Sequence, residues 1–393
     1  MLTFDAIGKL KVTTISRYKH ALRANGHAVL WALLLAGSVL AGDTANPNLG
    51  LPAIAIPADN PITPEKIALG KKLFMDRRLS LNNTLSCAMC HVPEQAFTQN
   101  ELATSVGFEG KSLRRNAPSL LNVALHDSFQ RDGAKASLEA QVWGPLLARN
   151  EMANGTVDAV VARIISMPDY QGLFEQSFAG KSVDEITIGQ ALATFERTLL
   201  AGDSRFDRWY FGGNETALTT KEKAGFRVFM SANCNSCHRI DEHVAAFTDN
   251  RFHNTGVHAA AQHRAAQSIS VQLAPGVYVE INPDSLANVS EPKQIDEGRF
   301  EVSGDPTDRY AFKTPSLRNV VLTGPYMHDG SLATLAAVIE FYSSIYRVQG
   351  KPTEPERKWT ALEKTNLVEF LHALITENLD TKRHAARAKT ADR

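Results

Sequence analysis

Cys87, Cys90 and His91 stand together in LSCAMCHVP, and Cys234, Cys237 and His238 in ANCNSCHRI, so a C-x-x-C-H run occurs twice. Two thiols three positions apart match the spacing of the two haem vinyl groups, across which they can add as thioethers. The histidine that follows is then placed to turn its imidazole onto the iron as proximal ligand. Two other chemistries use paired cysteines. A zinc ribbon prefers its two pairs closer together, and a redox dithiol has no need of the adjacent histidine. All 4 cysteines of the chain fall in the two runs, leaving none for a disulfide framework. These residues predict two covalently bound haem c groups, attached through Cys87/Cys90 and Cys234/Cys237, with His91 and His238 on the irons.

Each run is preceded by a helical pattern. TPEKIALGKKLF places Ile67, Leu69, Leu73 and Phe74 at near-helical spacing behind Thr63-Pro64, and in ALTTKEKAGFRVFM Gly225 and Phe229 echo Gly70 and Phe74. A helix followed by C-x-x-C-H, twice, predicts an internal duplication. Between the copies, TVDAVVARIIS and DEITIGQALATFERTLL read as helices, the latter with an apolar stripe of Ile188, Leu192, Phe195 and Leu199. GDSRFDRWYFGGN (202–214) is rich in turn residues and makes the best domain boundary. The polar segment of about 258–297 lacks helical periodicity and reads as a long loop. TALEKTNLVEFLHALI (360–375) reads as a closing amphipathic helix. Few strands are expected. The predicted class is mainly α, two cytochrome c-like haem domains at 49–201 and 202–380, with a flexible tail over 381–393.

The chain has 393 residues, 44% hydrophobic and 21% charged, an ordinary globular composition. Lys+Arg and Asp+Glu are both 42, so charge gives no argument for nucleic acid or an anionic membrane. Lys9, Lys11, Arg17, Lys19 and Arg23 form a basic start, HAVLWALLLAGSVLAG an apolar core, and Val39 and Ala41 small residues for cleavage. Residues 1–41 are thus expected to be a signal peptide sending the protein to the periplasm; an uncleaved membrane anchor is the alternative.

The stretches LGKKLFMDRRLSLNNTLSCAMCHVPEQAFT, RNAPSLLNV, RNEM and FKTPSLRNVVLTGPYMHDGSLATL resemble the bacterial di-haem cytochrome c peroxidase/MauG superfamily, over roughly 60–375. The resemblance implies a fold of two cytochrome c-like domains with one haem each, and a distinct role for each haem. It makes Glu151, in RNEM, the distal carboxylate that moves a proton between the two peroxide oxygens, with Gln141 and Pro145 in the same pocket. It gives a calcium ion between the haems the side chain of Asn116 and the carbonyls of Thr323 and Pro325. From the residues alone, Glu151 would be a surface acid and Asn116 a turn residue.

The departures from the family pattern carry as much. Members that need reductive activation have a histidine after TSVG; here it is Phe108, which cannot ligate iron, so the first haem is expected to be open. The second haem's distal ligand, a methionine in those peroxidases, becomes Tyr342, as in the MauG and MbnH branch. A phenolate favours ferric and higher oxidation states, whereas a thioether favours ferrous iron. Met327 and His253 are the rival ligands, and Tyr342 also reads as a plain core residue. The tryptophan usual between the haems is Arg131, and the tryptophan that MauG uses to pass holes outward is Ala232. Trp143 and Trp209 are then candidates for inter-haem transfer, beside a direct propionate route. The sequence thus predicts a periplasmic oxidoreductase that uses hydrogen peroxide to oxidise a protein partner, at tryptophan or tyrosine, through a high-valent bis-haem state. One alternative is a peroxidase drawing electrons from a small redox protein; another is a non-catalytic di-haem electron carrier.

Overall fold

The structure, a computed structural model, describes residues 46–265, 269–274, 276–281, 295–343, 347–348, 351–352, 359–376 and 379. The expected signal peptide and the tail over 381–393 lie outside these residues. Helices dominate, as expected. The ones that position the site are α1 (Pro64–Met75), α2 (Glu185–Arg197), α3 (Thr220–Ser231), α4 (Val257–Ala265), α5 (Leu335–Ser343) and α6 (Ala361–His372).

Two helix pairs are built on the same plan. α1 starts where the Thr63 side chain accepts from the Lys66 amide, with proline at the first position; α3 starts with a reciprocal Thr219–Glu222 capping box. α1 lies on α2 so closely that a Cβ at Gly70 would overlap the Ala191 carbonyl oxygen. α3 lies on α6 in the same way, Gly225 against the Asn366 carbonyl. Only glycine permits either approach. One helical turn on, Phe74 meets Phe195 at 5.2 Å between ring centroids, and Phe229 meets Phe370 at 5.2 Å. Each pair anchors its own hydrophobic cluster. The first holds Leu69, Leu73, Phe74, Ile188, Leu192, Phe195 and Leu199, so the predicted α2 stripe is plain core. The second holds Phe206, Phe229, Phe247, Leu367 and Phe370.

Residues 202–214, expected as the domain boundary, carry regular structure. They enter a short helix, Arg205–Tyr210, with a Ser204–Asp207 capping box, and Phe206 is fully buried. The turn-residue signal came from caps, which also need Asp, Ser and Gly. The Asp207 carboxylate there accepts two bonds from Arg318, each 2.8 Å, and Arg318 also donates to the carbonyls of Gly50 and Ala245, both at 2.7 Å. Side-chain exposures of 1% and 0% make this a fully desolvated pair. Replacing Arg318 with leucine would strand the Asp207 charge, and denaturant unfolding should show a loss of roughly 3–5 kcal/mol.

The segment expected as a long loop carries structure. It contains α4, then an antiparallel hairpin of β2 (Ile269–Ala274) and β3 (Val277–Ile281), turning at Gly276 with φ +78°. Its β-branched alternation, ISVQLA and VYVEI, is a period-2 signal that a search for helical period passes over. A two-residue ladder pairs β1 (Phe252–His253) with β4 (Phe312–Lys313).

Candidate active site

The two C-x-x-C-H histidines share one local geometry. His91 Nδ1 lies 3.2 Å from the carbonyl oxygen of Phe97, and His238 Nδ1 lies 3.0 Å from that of Phe247. A carbonyl only accepts, so Nδ1 carries the proton and Nε2 keeps its lone pair for a metal. Burial lowers the pKa of both imidazoles and keeps them in the neutral, ligating form.

The carbonyls are aimed by strained backbone: Phe97 and Phe247 have φ of 55° and 53°. The next residue fastens each turn, Thr98 donating to the Ala117 carbonyl at 2.6 Å and Thr248 to that of Thr314 at 2.7 Å. Two buried asparagines repeat likewise. Asn122 exchanges bonds with the Ala201 backbone, and Asn319 accepts from the Thr376 amide and donates to its hydroxyl. The sequence reading missed this support. Its signals were present as AFT at 96–98 and 246–248, and as PSL-x-NV at 118–123 and 315–320.

Cys87, Cys90 and Glu151 are half-accessible, yet each is strongly desolvated: burial pushes the Cys87 thiol up to about 12 and raises the pKa of Cys90 and of the Glu151 carboxyl. Thiols pushed upward are not the low-pKa thiols of a redox dithiol, and none of the four cysteines is in a disulfide. The carboxylate of Glu151 acts electrostatically on both first-run thiols, which places it near them. Its loop is rigid. The Glu151 amide donates to Ala148, Met152 donates to the Pro145 carbonyl at 3.1 Å, and Asn154 holds the carbonyls of Leu79 and Leu146 at 2.8 and 2.9 Å. Gln141, half-buried, ends the short helix Leu138–Gln141 that leads into this region. The Phe108 amide donates to the Glu151 carbonyl at 3.0 Å, so the two residues are joined through their backbones.

Tyr342, on α5, is 41% exposed, but burial lifts its phenol to about 12, and the charges of Cys234 and Cys237 add to the lift. The Thr255 hydroxyl hydrogen-bonds it and acts in the opposite direction. The phenol therefore lies within electrostatic reach of both second-run thiols. The rivals are otherwise engaged. His253 Nε2 is 2.8 Å from Asp249 Oδ2 and 3.7 Å from Cys237 Sγ, at the edge where the thiol attaches. Met327 packs on the apolar cluster of Val257, Ala260 and Phe341.

Asn116 does not fit the calcium expected of it. Its Oδ1 accepts from Arg131 Nη2 at 2.9 Å and its carbonyl from Arg131 Nε at 3.1 Å. A calcium ion on that oxygen would stand beside a guanidinium bonded to the same atom. The neighbouring carboxylates Asp132 and Asp296 are already paired with Arg115, both at 2.6 Å. Pro325 lines a surface pocket with Ala103, whose carbonyl accepts from Asn116 Nδ2 at 3.1 Å; Thr323 turns its hydroxyl to the Val320 carbonyl. Trp143 is buried in the first cluster, and Trp209 is half-buried in the second. Ala232 is buried.

The profile of the di-haem cytochrome c peroxidases matches residues 64–216. The methylamine utilization protein MauG of Methylorubrum extorquens is 36% identical over 330 residues, covering 82% of this chain and 81% of that protein. The chain belongs to the di-haem cytochrome c peroxidase family. Cytochrome-c peroxidase IdrP1 of Denitromonas iodatirespirans is 32% identical over 361 residues, 88% of this chain and 92% of its own. A solved MauG-like protein associated with microbial copper homeostasis superposes with a TM-score of 0.66 at 33% identity, over 86% of this chain and 97% of that one. Family members are peroxide-dependent di-haem oxidoreductases, and this chain is such an enzyme with haem c as cofactor. Each C-x-x-C-H run, with its two cysteines outside any disulfide and an imidazole presenting Nε2, fits that cofactor. No helix among the described residues is long and apolar enough to cross a membrane.

Proposed function

We propose that this enzyme uses hydrogen peroxide to oxidise a protein partner, at tryptophan or tyrosine side chains, in the periplasm. The chain is read as an internal duplication, with one haem c in each half. The haem irons, when bound, supply the oxidation chemistry; the protein decides where peroxide binds and where oxidising power is kept. At the first site Glu151 takes a proton from one peroxide oxygen and returns it to the leaving oxygen. Its raised pKa makes it a better base than an exposed carboxylate and a usable acid afterwards. Gln141 and Pro145 shape the same face. Phe108 leaves that face without a protein ligand.

The observation that supports the choice of oxidase over peroxidase is Tyr342, whose phenol is hydrogen-bonded by Thr255 and within electrostatic reach of Cys234 and Cys237. A phenolate ligand there keeps the second site oxidised and lets it hold an oxidising equivalent until a partner arrives. A protein partner then need not enter the peroxide cavity. Arg131, bonded to Asn116, stands where a tryptophan is usual between the haems, so inter-haem transfer is read as using another group or a direct propionate route. The test is the reaction with peroxide without prior reduction. Fully oxidised enzyme, never pre-reduced, should consume peroxide from the first seconds; a strict need for prior one-electron reduction would instead mark the reductively activated peroxidases.

A further inference from the structure

We infer that Trp209 and Tyr210 are the exit through which the second haem site draws electrons from the partner protein. The inference rests on the proposed function and names where that site meets its partner. Phe247, whose carbonyl holds His238, has its ring 5.2 Å from Phe206, and Phe206 stacks on Tyr210 at 5.2 Å and 18°. A second file of rings runs Phe247–Phe229 at 6.3 Å, Phe229–Phe370 at 5.2 Å, Phe370–Phe226 at 5.5 Å and Phe226–Trp209 at 5.3 Å. Both files begin beside the second haem's histidine, and both end on this adjacent pair, whose rings are 5.8 Å apart.

The ends of the files differ chemically from their middles. Phenylalanine has no proton to release on oxidation, whereas indole and phenol do. Tyr210 is 41% exposed. Trp209 Nε1–H donates to Glu215 Oε2 at 3.2 Å, and Lys223 Nζ lies 5.5 Å from the indole centroid while pairing with the same carboxylate oxygen at 3.0 Å. That ammonium disfavours a bare indole cation. An indole that loses an electron here must also pass its Nε1 proton to Glu215, and the acceptor is already in place. The electron goes inward to the oxidised second haem site. The indole regains an electron from a partner tyrosine or tryptophan and its proton from Glu215, and the partner releases a proton to water. Two such passages supply the two electrons that, with two protons, reduce one peroxide to two waters. Trp143 is buried in the first cluster, and Trp359 packs on the second cluster outside both files.

The test needs no identified partner. The holoenzyme is mixed with peroxide and the spin trap 2-methyl-2-nitrosopropane, and the adduct is mapped by peptide mass spectrometry. Adducts should concentrate on Trp209 or Tyr210, and Trp209→Phe/Tyr210→Phe should abolish them and lengthen the life of the oxidised haem state several-fold. Glu215→Gln leaves the ring packing intact, so it should still fold, and it should lower the Trp209 adduct yield. Adducts elsewhere, with an unchanged lifetime in the double variant and in Glu215→Gln, would overturn the exit while leaving the proposed function standing. If wild type forms no stored oxidised state at all, both fall together.

Discussion

Glu151→Gln should slow the reaction of the oxidised enzyme with peroxide by ~10²–10⁴-fold, the usual worth of a positioned proton-transfer group. The amide keeps the shape of the side chain but cannot accept the peroxide proton, so haem content and resting spectra should be those of wild type. The pH profile gives an independent sign. Burial raises the Glu151 pKa, so the working base is the deprotonated form above that pKa. The bimolecular rate should fall as pH drops through a value above the ordinary carboxylate range, and this inflection should vanish in the amide variant. A stopped-flow rate equal to wild type would remove Glu151 from the reaction and leave its desolvation as a packing matter.

Tyr342→Met should abolish oxidation of the partner while peroxide still reacts at the first site. A thioether in place of a phenolate withdraws negative charge from the second iron. Its reduction potential should rise by on the order of 0.1 V, within the ~0.8 V that axial ligands span. A site so altered accepts an electron readily and stores an oxidising equivalent poorly. The fold should tolerate the change, because methionine is at least as good a helix former as tyrosine and adapts to an irregular cavity. Potentiometric titration of both haems reads the shift directly. An unmoved second potential would make Tyr342 a bystander and turn attention back to Met327 and His253.

What was legible in the sequence followed how tightly chemistry fixes spacing. Thioether attachment and ligation demand contiguous residues, so the two C-x-x-C-H runs could be read without any structure. The α1 and α3 patterns were legible because each helix buries a regular apolar stripe. Glu151 was not legible from its own surroundings: a loop of short-range backbone bonds holds it near the first-run thiols, and only the resemblance singled it out. The carbonyls that orient His91 and His238 belong to Phe97 and Phe247, and a carbonyl leaves no residue-type signature. What marks them is the AFT repeat, in which alanine and threonine support a positive φ at the phenylalanine between them. Arg318 was passed over because one buried arginine among surface ones looks the same until its partner Asp207, 111 positions away, is seen.

The most direct measurement is the electron paramagnetic resonance spectrum of the fully ferric enzyme as isolated. With Phe108 beside an open first site and Tyr342 capping the second, it should show one high-spin and one low-spin haem. Two low-spin signals would mean that a protein ligand closes the first iron, and would contradict the account at its root.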